Sequence, residues 1–170
     1  FDCVLSQAVQ DGSVDLQNYR TVIWICGDDS KNYSTTLDTV ERLKIKDFLD
    51  NGGNLFISGN NIGSDLNSFD NEFYNTYLKA GFGAADALRY TLISNASGIF
   101  SGIADFGIWT DDAGSTQGNV TSGAAYQIAE PDRTNISGFN ALNGGKTIVA
   151  FNTGWAAGVS FTGAFGIQGD

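Results

Sequence analysis

Thr21 to Cys26 is continuously apolar and β-branched, and Asn54 to Ser58, around the apolar run that starts at Leu55, reads as the next strand. A run without a polar position has no wet face. It suits a strand buried on both sides of a parallel sheet. The intervening segment has helical spacing. Thr35 or Thr36 can cap it, and Asp38 and Glu41 complement the positive end of its dipole. Leu37, Val40, Leu43, Phe48 and Leu49 fall near one face, and Asn51-Gly52-Gly53 stops the helix. After the second strand comes Gly59-Asn60-Asn61-Ile62-Gly63, ahead of a segment that can turn helical. Strand, glycine-flanked turn and helix are the layout of a nucleophile elbow, which displays one strained side chain at a strand's carboxyl end. The displayed residue is Asn61, whose amide is not a nucleophile. The chain has no His, so no imidazole can activate a hydroxyl or thiol.

The later sequence changes character. A second helix is predicted over Phe73 to Ala80, ended by Gly81. Then short β-prone runs alternate with turn residues: Tyr90 to Ile93, Phe106 to Trp109, Ala124 to Ile128, Thr147 to Phe151 and Gly158 to Phe161. The lone proline, Pro131, falls in a connection. Phe1 to Leu5 reads as a further strand, closed by the Asp11-Gly12 turn. No linker separates the halves. The 170 residues are therefore expected to be one domain, with an α/β core over 1–82 and a β-rich part over 83–170. The chain lacks Met even at position 1 and starts inside an apparent strand, so a fragment of a larger precursor is expected.

The formal net charge of −10 disfavours nucleic acid and anionic membranes as partners. No apolar run approaches the roughly 20 residues that cross a bilayer, so no membrane insertion is expected. Only 16% of residues are charged, which leaves a surface of Asn, Ser, Thr and Gly in an extracytoplasmic style. Asn32, Asn95, Asn119 and Asn135 head glycosylation sequons, at a frequency such a composition produces by chance. Cys3 and Cys26 both lie in apolar runs and read as buried thiols acting as small hydrophobes.

Ligands of an open parallel sheet bind beyond the carboxyl ends of its strands. Asp28, Asp29 and Ser30 follow one strand; Asn60, Asn61, Ser64 and Asp65 follow the next. If the strands are neighbours, three carboxylates and two amides converge in one polar crevice suited to a sugar, or to a hard cation such as Ca²⁺. Alternatively, Asp28 and Asp29 organise a turn while Ser64 or Asp65 caps a helix. Asp28 with Asp65 is the one carboxylate pair nominated for glycoside hydrolysis, which needs no His. Trp155, beside Gly154, is the best placed tryptophan for stacking on a sugar, whereas Trp24 lies mid-strand and is expected in the core. No zinc site is expected, and Gly59 to Gly63 lacks the Lys of a phosphate loop.

Thr21 to Leu66 resembles the class I glutamine amidotransferase-like fold, with Asn61 in the nucleophile's place. Asn51 to Gly59, Ile62 to Leu66 and Phe73 to Ala80 look like one subgroup of it, and Pro131-Asp132 and Ala156 to Val159 fit the same subgroup. Its members are domains of large secreted bacterial proteins, some of them named as xanthan lyases, that accompany fibronectin-like, carbohydrate-binding or peptidase modules. The resemblance implies an α/β, flavodoxin-like three-layer open and mostly parallel sheet with a β-rich C-terminal half. It also implies a start at the fold's second strand, with a slot, empty or filled by another segment, between the strands of Cys3 and Cys26 and hence no disulfide between them. The expected function is a non-catalytic binding or structural module, secreted or at the cell surface, acting on or near polysaccharide. Its expected partners are neighbouring modules and carbohydrate, with no cofactor. The alternatives are a carbohydrate-active lyase or hydrolase using Asp28 and Asp65, and a calcium-stabilised adhesion module.

Overall fold

Residues 21–59 build a strand, a helix and a second strand: β1 (Thr21–Gly27), α2 (Thr39–Asp50) and β2 (Asn54–Gly59), preceded by a short α1 (Ser6–Gln10) and a 3₁₀ turn (Leu16–Asn18). The computed structural model describes residues 1–27, 36–59, 62–84, 91–95, 98–104, 106–107 and 138–165. β1 and β2 pair in parallel from Thr21↔Asn54 to Gly27↔Gly59, with a register irregularity between Ile25 and Gly27. After β2 come α3 (Ile62–Phe69) and α4 (Asn71–Thr76). The predicted strands at Thr21 and Asn54 form and Trp24 is buried, but β1 is not buried on both faces as its apolar run suggested: Ile23 and Ile25 are exposed on the face opposite Trp24.

The helix differs in detail. Its cap is Asp38 rather than Thr35 or Thr36. The Asp38 carboxylate accepts the Glu41 N–H at 2.8 Å, and Glu41 Oε2 accepts the Asp38 N–H at 2.9 Å. This reciprocal box satisfies two helix-end donors at once. It also accounts for burial of a charged side chain, since the Gln10 amide donates to the second oxygen of Glu41 at 3.0 Å. The inward stripe is therefore Leu37, Glu41, Ile45, Phe48 and Leu49, while Val40 and Leu43 face outward. The helix predicted over Phe73 to Ala80 is α4, which starts earlier, at Asn71, and ends sooner, at Thr76. Asp70 caps α4 by accepting the Phe73 N–H, and Lys79, at φ 55°, turns the chain into a strand.

Phe1 to Leu5 is not a strand. No described strand pairs with it, and α1 begins at Ser6. Cys3 is correspondingly exposed and Cys26 half-buried, so Cys3 is not the buried thiol its sequence suggested. The two are not bridged.

The chain divides into two compact units, Phe1–Tyr77 with Thr162–Asp170, and Leu78–Phe161. The first holds the parallel pair. Its C-terminal return is fixed by Phe165, whose ring stacks on Tyr77 at 6.1 Å. The second is antiparallel throughout: β3 (Ala80–Ala84), β4 (Thr91–Ser94), β5 (Phe106–Gly107), β6 (Gly138–Ala141), β7 (Lys146–Phe151) and β8 (Ala156–Ser160), in the order β3-β6-β8-β7-β4-β5. Its core gathers Leu92, Val149 and Phe151, with Phe100, Trp155 and Ala157 packed against them. The predicted strands around Tyr90, Phe106, Thr147 and Gly158 correspond to β4, β5, β7 and β8; Ala124 to Ile128 and Pro131 lie outside the described residues. Among the described residues the fold is mixed α/β with one parallel pair and a larger antiparallel sheet, not the mostly parallel sheet expected.

Candidate functional site at the strand tips

The pairing of Gly27 with Gly59 sets the carboxyl ends of β1 and β2 side by side, as a crevice at the strand tips requires. Asp28, Asp29, Asn60 and Asn61 continue from these ends and lie outside the described residues. The chain is described again at Thr36 and at Ile62, and there the two connections are joined. Asp65, in the first turn of α3, accepts the Thr36 N–H at 2.8 Å and, on the same Oδ2, the Thr36 hydroxyl. Thr36 is buried and so is Leu37 beside it. A buried N–H and hydroxyl must find acceptors, and a carboxylate supplies the strongest kind.

The segment is held from a second side. Arg42 donates from Nη1 to the Leu37 carbonyl at 2.6 Å and from Nε to Asp70 at 2.9 Å. Asp70 caps α4, so one guanidinium connects the entry of α2 to the start of α4. The charged groups described at this end of the sheet therefore serve the backbone. Ser64 is half-buried, and its carbonyl accepts the Ser68 hydroxyl one turn on. Ser64 and Asp65 are thus together on α3.

Trp155 belongs to the second unit. It sits half-buried at the start of β8, where its carbonyl accepts the Phe151 N–H at 2.8 Å. Its side chain lies against two strand glycines: a Cβ on Gly83 would come within 2.5 Å of the indole, and one on Gly138 within 2.6 Å of the Trp155 Cβ. Glycine inside a strand often marks such a close approach.

Sequence reasoning located the tips but missed Thr36 as the partner of Asp65. The two are 29 positions apart, and no local pattern announces a contact of that range. Among the described residues no group of three or more His, Cys, Asp or Glu side chains could hold a metal ion. No described helix is long and apolar enough to cross a membrane. Compared with known proteins, the chain matches no family model, no curated protein and no solved structure.

Proposed function

We propose that this chain is a non-catalytic binding or structural module of a secreted bacterial multidomain protein, acting on or beside polysaccharide through the tips of β1 and β2. On this reading the first unit is a reduced flavodoxin-like, amidotransferase-like core, and Asn61 occupies the displayed position of an elbow that no longer attacks a substrate. The observation that carries it is the engagement of Asp65. The carboxylate best placed for acid–base work at the strand tips is bonded twice to Thr36, as a structural clasp would be. The absence of any His supports the same conclusion. A secreted or cell-surface location accords with low charge density and a surface of Asn, Ser, Thr and Gly. Neighbouring modules and carbohydrate are its proposed partners.

The test is paired. The purified chain is offered a panel of soluble acidic and neutral polysaccharides in affinity electrophoresis, and ester, amide and glycoside substrates in turnover assays. Retarded migration with no turnover is expected. Turnover that disappears in Asn61→Ala or in Asp65→Asn would overturn the proposal. So would the absence of retardation with every polysaccharide together with unchanged binding to neighbouring modules on Asn61→Ala.

A further inference from the structure

Asn followed by Gly occurs twice in the chain, at Asn51-Gly52 and at Asn143-Gly144, and all four residues are exposed. In such a pair the main-chain nitrogen of the glycine can attack the asparagine side-chain carbonyl, since no Cβ stands in its way. The structure treats the two pairs differently. Asn51 and Gly52 close α2. The Gly52 N–H donates to the Leu49 carbonyl at 3.0 Å and the Gly53 N–H to the Phe48 carbonyl at 2.9 Å, the two bonds of a Schellman ending. The Asn51 side-chain amide donates to the Asp47 carbonyl at 2.9 Å. Both reacting groups are thus committed to the helix, and the buried Phe48 ring lies against Gly53. Asn143 and Gly144, at φ 50° and 85°, are instead the central residues of a turn closed by one bond, from the Gly145 N–H to the Leu142 carbonyl at 2.8 Å. That bond takes the nitrogen after the attacking one. Turns of this kind ordinarily have paired strands behind them, but β6 and β7 are not sheet neighbours, so no ladder between them holds the corner.

We propose that Asn143 is a site of spontaneous, age-dependent deamidation, and that its place at the end of α2 protects Asn51 from the same reaction. When the turn opens, the Gly144 nitrogen attacks Asn143 Cγ. The N–Cγ bond forms, the Cγ–Nδ2 bond breaks, and Nδ2 leaves as ammonia with the proton of the Gly144 nitrogen. Water then opens the cyclic imide. Attack at the side-chain carbonyl gives aspartate. Attack at the main-chain carbonyl gives isoaspartate, in which the chain runs through the former side-chain carbon. Either product sets a new carboxylate at the corner. The isoaspartyl form also lengthens the main chain there, beside the bond from the Leu142 N–H to the Lys79 carbonyl at 2.8 Å and within the turn's own closing bond. The reaction therefore loosens the connection between β6 and β7. The inference is independent of the strand-tip reading, since it uses no residue of that site.

The test ages the 170-residue chain in mildly alkaline buffer at physiological temperature. Its peptides are mapped by mass spectrometry, and isoaspartate is read separately by enzymatic methyl transfer from S-adenosylmethionine. Conversion at Asn143 is expected to outpace that at Asn51 by about tenfold or more, because the helix end must unwind before Asn51 can react. Isoaspartate should be the larger product, and the rate should rise with hydroxide concentration. In urea that unfolds the chain the two rates should converge. Asn143→Gln keeps an amide but needs a larger ring, so it should remove conversion at the corner and leave that at Asn51 unchanged. Absence of conversion at Asn143 overturns the proposal, as does equally fast conversion at Asn51 in the folded chain. A difference that persists in urea also overturns it, since neighbouring sequence and not the fold would then set the rates. Aspartate without isoaspartate overturns it in favour of direct hydrolysis.

Discussion

Replacing Asp65 by Ala should destabilise the first unit by roughly 2–4 kcal/mol. Two bonds to a carboxylate are lost, each worth about 1.5–3 kcal/mol when intact, and the buried Thr36 N–H and hydroxyl are left to find other acceptors. Partial relaxation of the connection keeps the total below the sum. Thr36→Val removes the hydroxyl bond and spares the N–H bond, so about 1–2 kcal/mol is expected. In the double variant the two losses overlap, and the coupling should be on the order of 1 kcal/mol. Because the chain holds two compact units, the measurement should report on the first alone: urea-dependent hydrogen exchange of peptides covering residues 36–69 does so. A loss below about 0.5 kcal/mol for Asp65→Ala would refute the clasp. A gain in stability would do more. Functional groups are often kept at a cost in stability, so a gain would mark Asp65 as a working carboxylate and revive the carbohydrate-active alternative.

Gly53→Ala would place a methyl group 2.3 Å from the ring of Phe48, which is itself 1% exposed. A loss of about 1–3 kcal/mol is expected in urea unfolding, with Phe48→Leu in the same chain recovering part of it. Burial raises the Tyr74 hydroxyl above the usual tyrosine range, so the folded chain keeps a proton that the unfolded chain gives up. Stability contributed in this way is complete below about pH 10 and falls above it; Tyr74→Phe should flatten the alkaline limb by up to about 1.4 kcal/mol per pH unit. The Lys46 ammonium, raised by the Tyr77 hydroxyl and by Asp50, also loses its contribution with rising pH, so some slope should survive in that variant. Melting temperatures in EDTA and in excess Ca²⁺ should agree within about 1 °C. A clear rise with Ca²⁺ would favour the adhesion-module alternative and point to Asp28 and Asp29.

The parallel pair was legible because its signal is local: continuously apolar strands need no knowledge of their neighbours to be recognised. The antiparallel unit was harder. β3 and β6 went unread because Gly81, Gly83 and Gly138 look like turn residues, and it is the position of Trp155 that explains why the strands contain Gly83 and Gly138. Val40 and Leu43 fitted the helical period as well as the residues that were buried, but the box at Asp38 and the Gln10 bond turn Glu41 inward and leave those two outside. At the candidate site, the neighbouring tips followed from the strand–helix–strand order. The engagement of Asp65 did not, because it depends on a long-range contact between two connections.

One feature of the second sheet constrains how the protein is made. Asn143 and Gly144, at φ 50° and 85°, turn the chain tightly from β6 towards β7, yet these two strands do not pair: β8, the last to be synthesised, lies between them. While the nascent polypeptide is still short of Ala156, β3-β6 and β5-β4-β7 are, among the described residues, separate ribbons linked through the turn at Asn143 but sharing no ladder. The described sheet is therefore completed only once β8 has left the ribosome, and a truncation that removes β8 leaves its two ribbons without a shared ladder.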